Sequence, residues 1–146
     1  MRSFQTMVAC ALLASAVPAA ATLPIPSPAT ATQDAQAFLF QAGASDIFEI
    51  VTGQMAVMHA ANPAVRSFGS MMIADHTNTT NSALTTAMGA GVMPPPPELS
   101  PMQKDFVSQL MAAAPAAFDR VYLAQQMAAH GQALALVQSL APDLTC

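Results

Sequence analysis

An all-α fold is predicted from three features of the 146-residue sequence. From Thr32 onward the composition is dominated by Ala, Gln, Met and Leu, which are strong helix formers. β-Branched runs that alternate every second residue are absent, which argues against strands and against an outer-membrane barrel. Apolar residues recur instead at three- and four-residue spacing, the period of a helix that buries one face.

Two segments precede the expected helical domain at residues 33–146. Residues 1–21 read as a signal peptide: Arg2 supplies the charge, Met7 to Val17 is apolar, and Ala19-Ala20-Ala21 offers a small-residue cleavage site. The apolar run is about a dozen residues, against the roughly 20 a bilayer span requires. A retained anchor is the alternative; acylation at Cys10 is a further one, weakened by the little apolar sequence before it. Residues 22–32 form a Pro-rich spacer, expected to be disordered because Pro breaks helices and cannot donate to a sheet. No later segment is apolar for long enough to cross a membrane. The chain is therefore expected in the periplasm, with outer-membrane association as a further option.

The helices follow in order. The first is expected from about Gln33 to Ala61, with Ile47, Ile50, Val51, Gln54 and Met58 on one arc, Gly43 and Gly53 weakening it, and Gly43 a candidate break. Asn62-Pro63 is a stop and restart signal, since Asn caps a helix and Pro suits its first position. The second runs to about Met88 and carries Val65, Phe68, Met72, Ile73, Ala83, Leu84 and Ala87 on its apolar arc. Gly89 and Gly91 end it, and Pro94-Pro95-Pro96-Pro97 makes a stiff extended connector. Ser100-Pro101 opens a short helix with Met102, Phe106 and Leu110 inward. After Pro115 a last helix is expected to about Leu140, with Leu123, Met127, Leu134 and Val137 on one stripe.

Charge is scarce: 8% of residues are Asp, Glu, Lys or Arg, against about a quarter in ordinary proteins, and the net charge is −4. A nucleic-acid partner is excluded on this ground, because neutralising phosphates needs clustered Lys and Arg. Of the two Cys, Cys10 would leave with the leader, so Cys146 is either free or available for an intermolecular bridge. No Ser lies in a Gly-x-Ser-x-Gly turn and Cys146 has no evident base, so nucleophilic catalysis lacks support and an enzyme is disfavoured.

Three His and eight carboxylates make the site search short. His76 sits centrally on the arc of the second helix, within about 40° of Met72, Ala83 and Ala87 at helical pitch. His130 sits as centrally on the last helix, beside Gln126, Met127, Ala133 and Leu134. Two inward imidazoles could meet, and helix bundles build metal sites from such side chains. Glu49 points away from the broad apolar arc of the first helix yet shares a narrow stripe with Ser45, Gly53, Ala56 and Ala60, so it reads equally as a cation ligand or as a solvated residue; Asp75 could orient an imidazole. The candidate metal site is accordingly Glu49, His76, His130 and Asp75, with a transition-metal ion as its cofactor. Each His is equally read as a core residue hydrogen-bonded to a carbonyl or carboxylate. A standard di-iron site wants Glu three residues before each His, and residues 73 and 127 are Ile and Met. Copper bound by Met pairs such as Met55 and Met58 is a weaker reading than core filling. His59 reads as a C-terminal helix residue favoured by the dipole.

The run Phe38, Glu49, Gly53, Asn62-Pro63-Ala64-Val65-Arg66-Ser67-Phe68, Met71-Met72-Ile73-Ala74-Asp75-His76-Thr77, Phe118-Asp119-Arg120-Val121-Tyr122-Leu123 and His130 resembles the domain-of-unknown-function 4142 family. These are exported bacterial proteins, often labelled outer-membrane proteins. The resemblance covers roughly residues 33–140. It implies a ferritin-like antiparallel helical bundle, with the short third helix as an extra element in the central connection. It marks Glu49, Asp75, His76 and His130 as positions to watch and implies no reaction. It also implies a further C-terminal helix with another His, where this sequence has Ala141-Pro142-Asp143-Leu144-Thr145-Cys146. A bundle shortened in this way is expected to leave an apolar groove for a homo-oligomer or protein partner. The resulting expectation is a non-catalytic binding or interaction module, with a ferritin-like metal-binding protein as the alternative.

Overall fold

The computed structural model describes residues 28–140. The expected signal peptide, most of the spacer, and residues 141–146, with the expectations attached to them, lie outside the described residues. Four helices make up the fold: α1 (Pro28–His59), α2 (Pro63–Gly89), α3 (Pro101–Ala112) and α4 (Pro115–Leu140). No strand occurs among the described residues. α1 is the central element: α2, α3 and α4 all pack on it, and α3 also packs on α4. α2 and α4 both run antiparallel to α1, so their side chains meet across its flank.

Each boundary has a local cause. α1 begins at Pro28, inside the stretch expected as spacer, because Pro with its fixed φ suits the first helical turn and the following Ala and Thr residues continue it. The Asn62 side chain accepts a 2.9 Å hydrogen bond from the Ala64 N–H, capping α2 ahead of Pro63. Ser100 and Gln103 form a reciprocal capping box at α3, with bonds of 2.8 and 3.2 Å. Gly91 adopts φ +70° after α2, a left-handed turn that sends the chain into the proline connector. Gly43 marks no break. Its missing side chain instead admits Pro97 of that connector, which would stand 2.9 Å from an added Cβ.

The α1–α2 turn is clamped from both sides. Asp119, on α4, accepts hydrogen bonds from the Ala61 and Asn62 N–H groups at 2.9 and 2.8 Å. Arg66 donates to the carbonyls of Ala60 and Ala61 at 2.7 and 2.9 Å. Behind this clamp lies the apolar core, built from Ala56, Ala60, Val65, Leu110, Phe118 and Tyr122. The Tyr122 ring stacks on Phe118 and meets Phe68 edge-on, with centroids 6.4 and 6.0 Å away.

Two helices bury different faces from those their bulky residues suggest. In α1 the interior face is Ala44, Phe48, Glu49, Thr52, Gly53, Ala56 and Ala60, whereas Ile47, Ile50 and Val51 are only half-buried and Met58 is exposed. Small residues win because they let helices approach closely. In α4 the interior face is Phe118, Tyr122, Gln125, Gln126 and Ala129, and the Leu123, Met127, Leu134 and Val137 stripe points outward. The two aromatic rings and the Asp119 clamp fix the rotation of α4, and the aliphatic stripe follows passively.

The tightest contact is between α1 and α2. A Cβ on Gly53 would lie 2.8 Å from the Gly69 carbonyl oxygen, and one on Gly69 would lie 2.7 Å from that of Gly53. Gly69→Ala is therefore expected to cost about 1–3 kcal/mol, through forced separation of two backbones. Gly131→Ala, at a position with open space around it, is expected to stabilise by roughly 0.5–1 kcal/mol. Urea denaturation of the two variants checks the contrast.

Candidate functional site

Above the apolar core, toward the middle of α1, the interior turns polar. Thr52 and Gln126 open this layer: the Gln126 amide donates to the Thr52 hydroxyl at 3.3 Å, and Thr52 donates to the Phe48 carbonyl at 2.8 Å. Next come Asp46 and Glu49 of α1, His76 and Thr80 of α2, and His130 of α4. Asp46 and Glu49 are one helical turn apart on α1, so they project together toward α2 and α4.

Asp46 is buried and fully engaged. Its Oδ1 is 2.7 Å from His76 Nδ1, and its Oδ2 accepts the Thr80 hydroxyl at 2.8 Å. This hydrogen bond raises the His76 pKa above the ordinary imidazole range, with burial opposing it and the Glu49, Asp46 and Asp75 charges adding to it. Glu49 is 1% exposed, and its Oε2 has no partner among the described residues. Its Oε1 lies 3.8 Å from His130 Nδ1. Burial pushes the Glu49 pKa up; the Gln126 amide and the charges of His130 and His76 counteract this in part. The Tyr122 hydroxyl, also buried and unpartnered, is pushed up by desolvation and by the Glu49 charge.

The two imidazoles face each other edge-on, with centroids 6.1 Å apart and planes at 77°. His130 Nδ1 is 2.9 Å from the carbonyl oxygen of Gln126. A carbonyl only accepts, so this nitrogen carries a proton. Of the hydroxyls in the cluster, that of Thr52 donates to its own helix and that of Thr80 to Asp46.

Of the four residues singled out from sequence, the fold brings Glu49, His76 and His130 together. Asp75 is exposed on the outer side of α2 and does not join them. Asp46 is the carboxylate that orients His76, and Thr80 and Gln126 complete the surroundings; sequence reasoning missed all three in these roles. The available signal was the Asp46-x-x-Glu49 spacing, which places both carboxylates on one face of α1. Among the described residues, no group of three His, Cys, Asp or Glu is disposed to hold a metal ion. His59 lies apart, its ring 5.9 Å from Phe118 at the clamped end.

Because Asp46 raises the His76 pKa, the stability this pair contributes is complete below the ordinary imidazole pKa and lost as pH climbs through the raised one. Asp46→Asn is expected to return the His76 titration, followed by imidazole proton NMR, toward its ordinary midpoint. The sign for Glu49 is the same: folding favours its neutral form, so its ionisation at rising pH weakens the fold. Glu49→Gln is expected to raise stability at neutral pH by roughly 1 kcal/mol, the scale of an unmet buried polar group. Denaturation midpoints of the two proteins check it.

A family model described as a domain of unknown function (DUF4142) matches residues 20–145. No curated protein and no solved structure matches the chain. The matched span takes in all four helices, the Asp119 clamp and every residue of the polar layer. On that match, the chain belongs to the DUF4142 family.

Proposed function

We propose that the protein is an exported, non-catalytic helical binding module acting in the periplasm. The outward stripe of α4 carries this reading. Leu123, Met127, Leu134 and Val137 are 41, 80, 58 and 54% exposed, on one side of one helix. Single exposed apolar residues are ordinary on protein surfaces. A row of four, flanking His130, is a surface suited to an apolar partner. The scarcity of charge supports the same reading, because no Asp, Glu, Lys or Arg lies between Leu123 and Val137. No described helix is long and apolar enough to cross a membrane, so the stripe is not a spanning surface. The leader-like residues 1–21 support export.

Self-association or partner capture through α4 is the expected behaviour. Size-exclusion chromatography with light scattering, together with binding of an apolar fluorescent dye, tests it. Wild type is expected to show association or dye binding, and Met127→Gln with Leu134→Gln to reduce whichever is seen. A strict monomer without dye binding would contradict the reading.

A further inference from the structure

We propose that His76 and His130 together bind one divalent late transition-metal ion through their Nε2 atoms, with Asp46 and Glu49 positioned behind them as carboxylates that do not touch the ion. The inference is independent of the α4 stripe and goes beyond it.

The hydrogen bonds determine which nitrogen is available. His76 Nδ1 is held by Asp46 Oδ1 at 2.7 Å and His130 Nδ1 by the Gln126 carbonyl at 2.9 Å. Both acceptors leave the proton on Nδ1, so each neutral ring carries its lone pair on Nε2. Nε2 is in each ring the nitrogen that these two bonds leave unengaged. Metal-binding imidazoles have this arrangement: the far nitrogen donates to a carboxylate or carbonyl, which fixes the ring and raises its basicity.

The spacing is close to what a shared ion requires. Two imidazoles bound to one tetrahedral ion at about 2.0–2.1 Å place their ring centres roughly 5 Å apart. Here the centres are 6.1 Å apart. The side chain of His130 is 49% exposed and that of His76 20%, so solvent reaches the remaining coordination positions and a shift of about 1 Å between α2 and α4 brings the rings to bonding separation. Water completes the ligand set, consistent with no three protein groups being gathered as a cage.

The carboxylates supply the charge. Asp46 aims His76, and Glu49, 1% exposed and with Oε2 unpartnered among the described residues, holds its Oε1 3.8 Å from His130 Nδ1. A bound dication would favour the ionised form of this carboxyl, which burial alone disfavours. The donor set of imidazole and water favours copper(II), followed by nickel(II) and zinc(II), over magnesium or calcium. The bound ion would fasten α2 to α4, which otherwise meet only through side chains over α1.

Chelator-stripped protein titrated with zinc(II) by calorimetry and followed by thermal melting tests the assignment. One ion per chain and a raised melting temperature are expected. His76→Ala and His130→Ala should each abolish the uptake, and His59→Ala should leave it intact. Asp46→Asn should keep the stoichiometry while weakening affinity about 10- to 100-fold, and lower the His76 pKa in the same sample. A readout without mutation guards against misfolded variants: substoichiometric copper(II) should broaden the imidazole NMR signals of His76 and His130 ahead of His59. No uptake of either ion, uptake that survives loss of His76, or equal broadening of all three imidazoles would overturn the proposal.

Discussion

The fold depends on the close passage of α1 over α2 at Gly53 and Gly69. Each glycine takes the other's carbonyl into the space a side chain would fill. With the helices this near, the short Asp46 side chain reaches both His76 and Thr80, about two and three turns farther along α2. A larger residue at either glycine would separate the backbones and withdraw Asp46 from its partners. Helix propensity opposes both glycines, so their presence inside long helices is explained by approach rather than by local preference.

Once α1 and α2 are paired, α4 is positioned from its start. Asp119 closes on the free N–H groups of the α1–α2 turn, and Phe118 and Tyr122 fill the core behind it. This sets the rotation of α4, which turns Gln126 and His130 toward Glu49 and the aliphatic stripe toward the outside. The same clamp therefore completes the polar layer and leaves the aliphatic stripe of α4 exposed. The polar layer is the costly part of the interior. Glu49 Oε2, Tyr122 OH and the side-chain oxygens of Gln125 and Gln126 are buried without a partner among the described residues. Apolar side chains of similar volume would give a more stable core there.

Much of this was legible in the sequence. Asn62-Pro63, Ser100-Pro101 and Gly89 to Gly91 mark helix ends because capping and φ preferences are local. The placement of His76 toward α1 and α4 was visible in helical periodicity, whereas His130 reaches it from the edge of a stripe that faces outward and Glu49 from a face that the bulky arc of α1 did not mark. Periodicity alone failed where two faces competed. It identified the Leu123, Met127, Leu134 and Val137 stripe, but the aromatic packing and the Asp119 clamp, contacts distant in sequence, decided which face of α4 went inside. Asp75 adjoins His76 in sequence and yet points away, since neighbouring residues on a helix diverge by about 100°. Asp46, thirty residues before His76, reaches it only because two glycines bring the helices together.

The central claim is that the layer between α1, α2 and α4 is a site organised around two imidazoles whose Nε2 atoms are left free. The most direct measurement is an anomalous-scattering map from a crystal of the chain grown with zinc(II). The account predicts one peak between His76 and His130, within bonding distance of both Nε2 atoms, with Asp46 still hydrogen-bonded to His76 Nδ1. No peak there, or an ion held by the carboxylates with the imidazoles turned away, would contradict it.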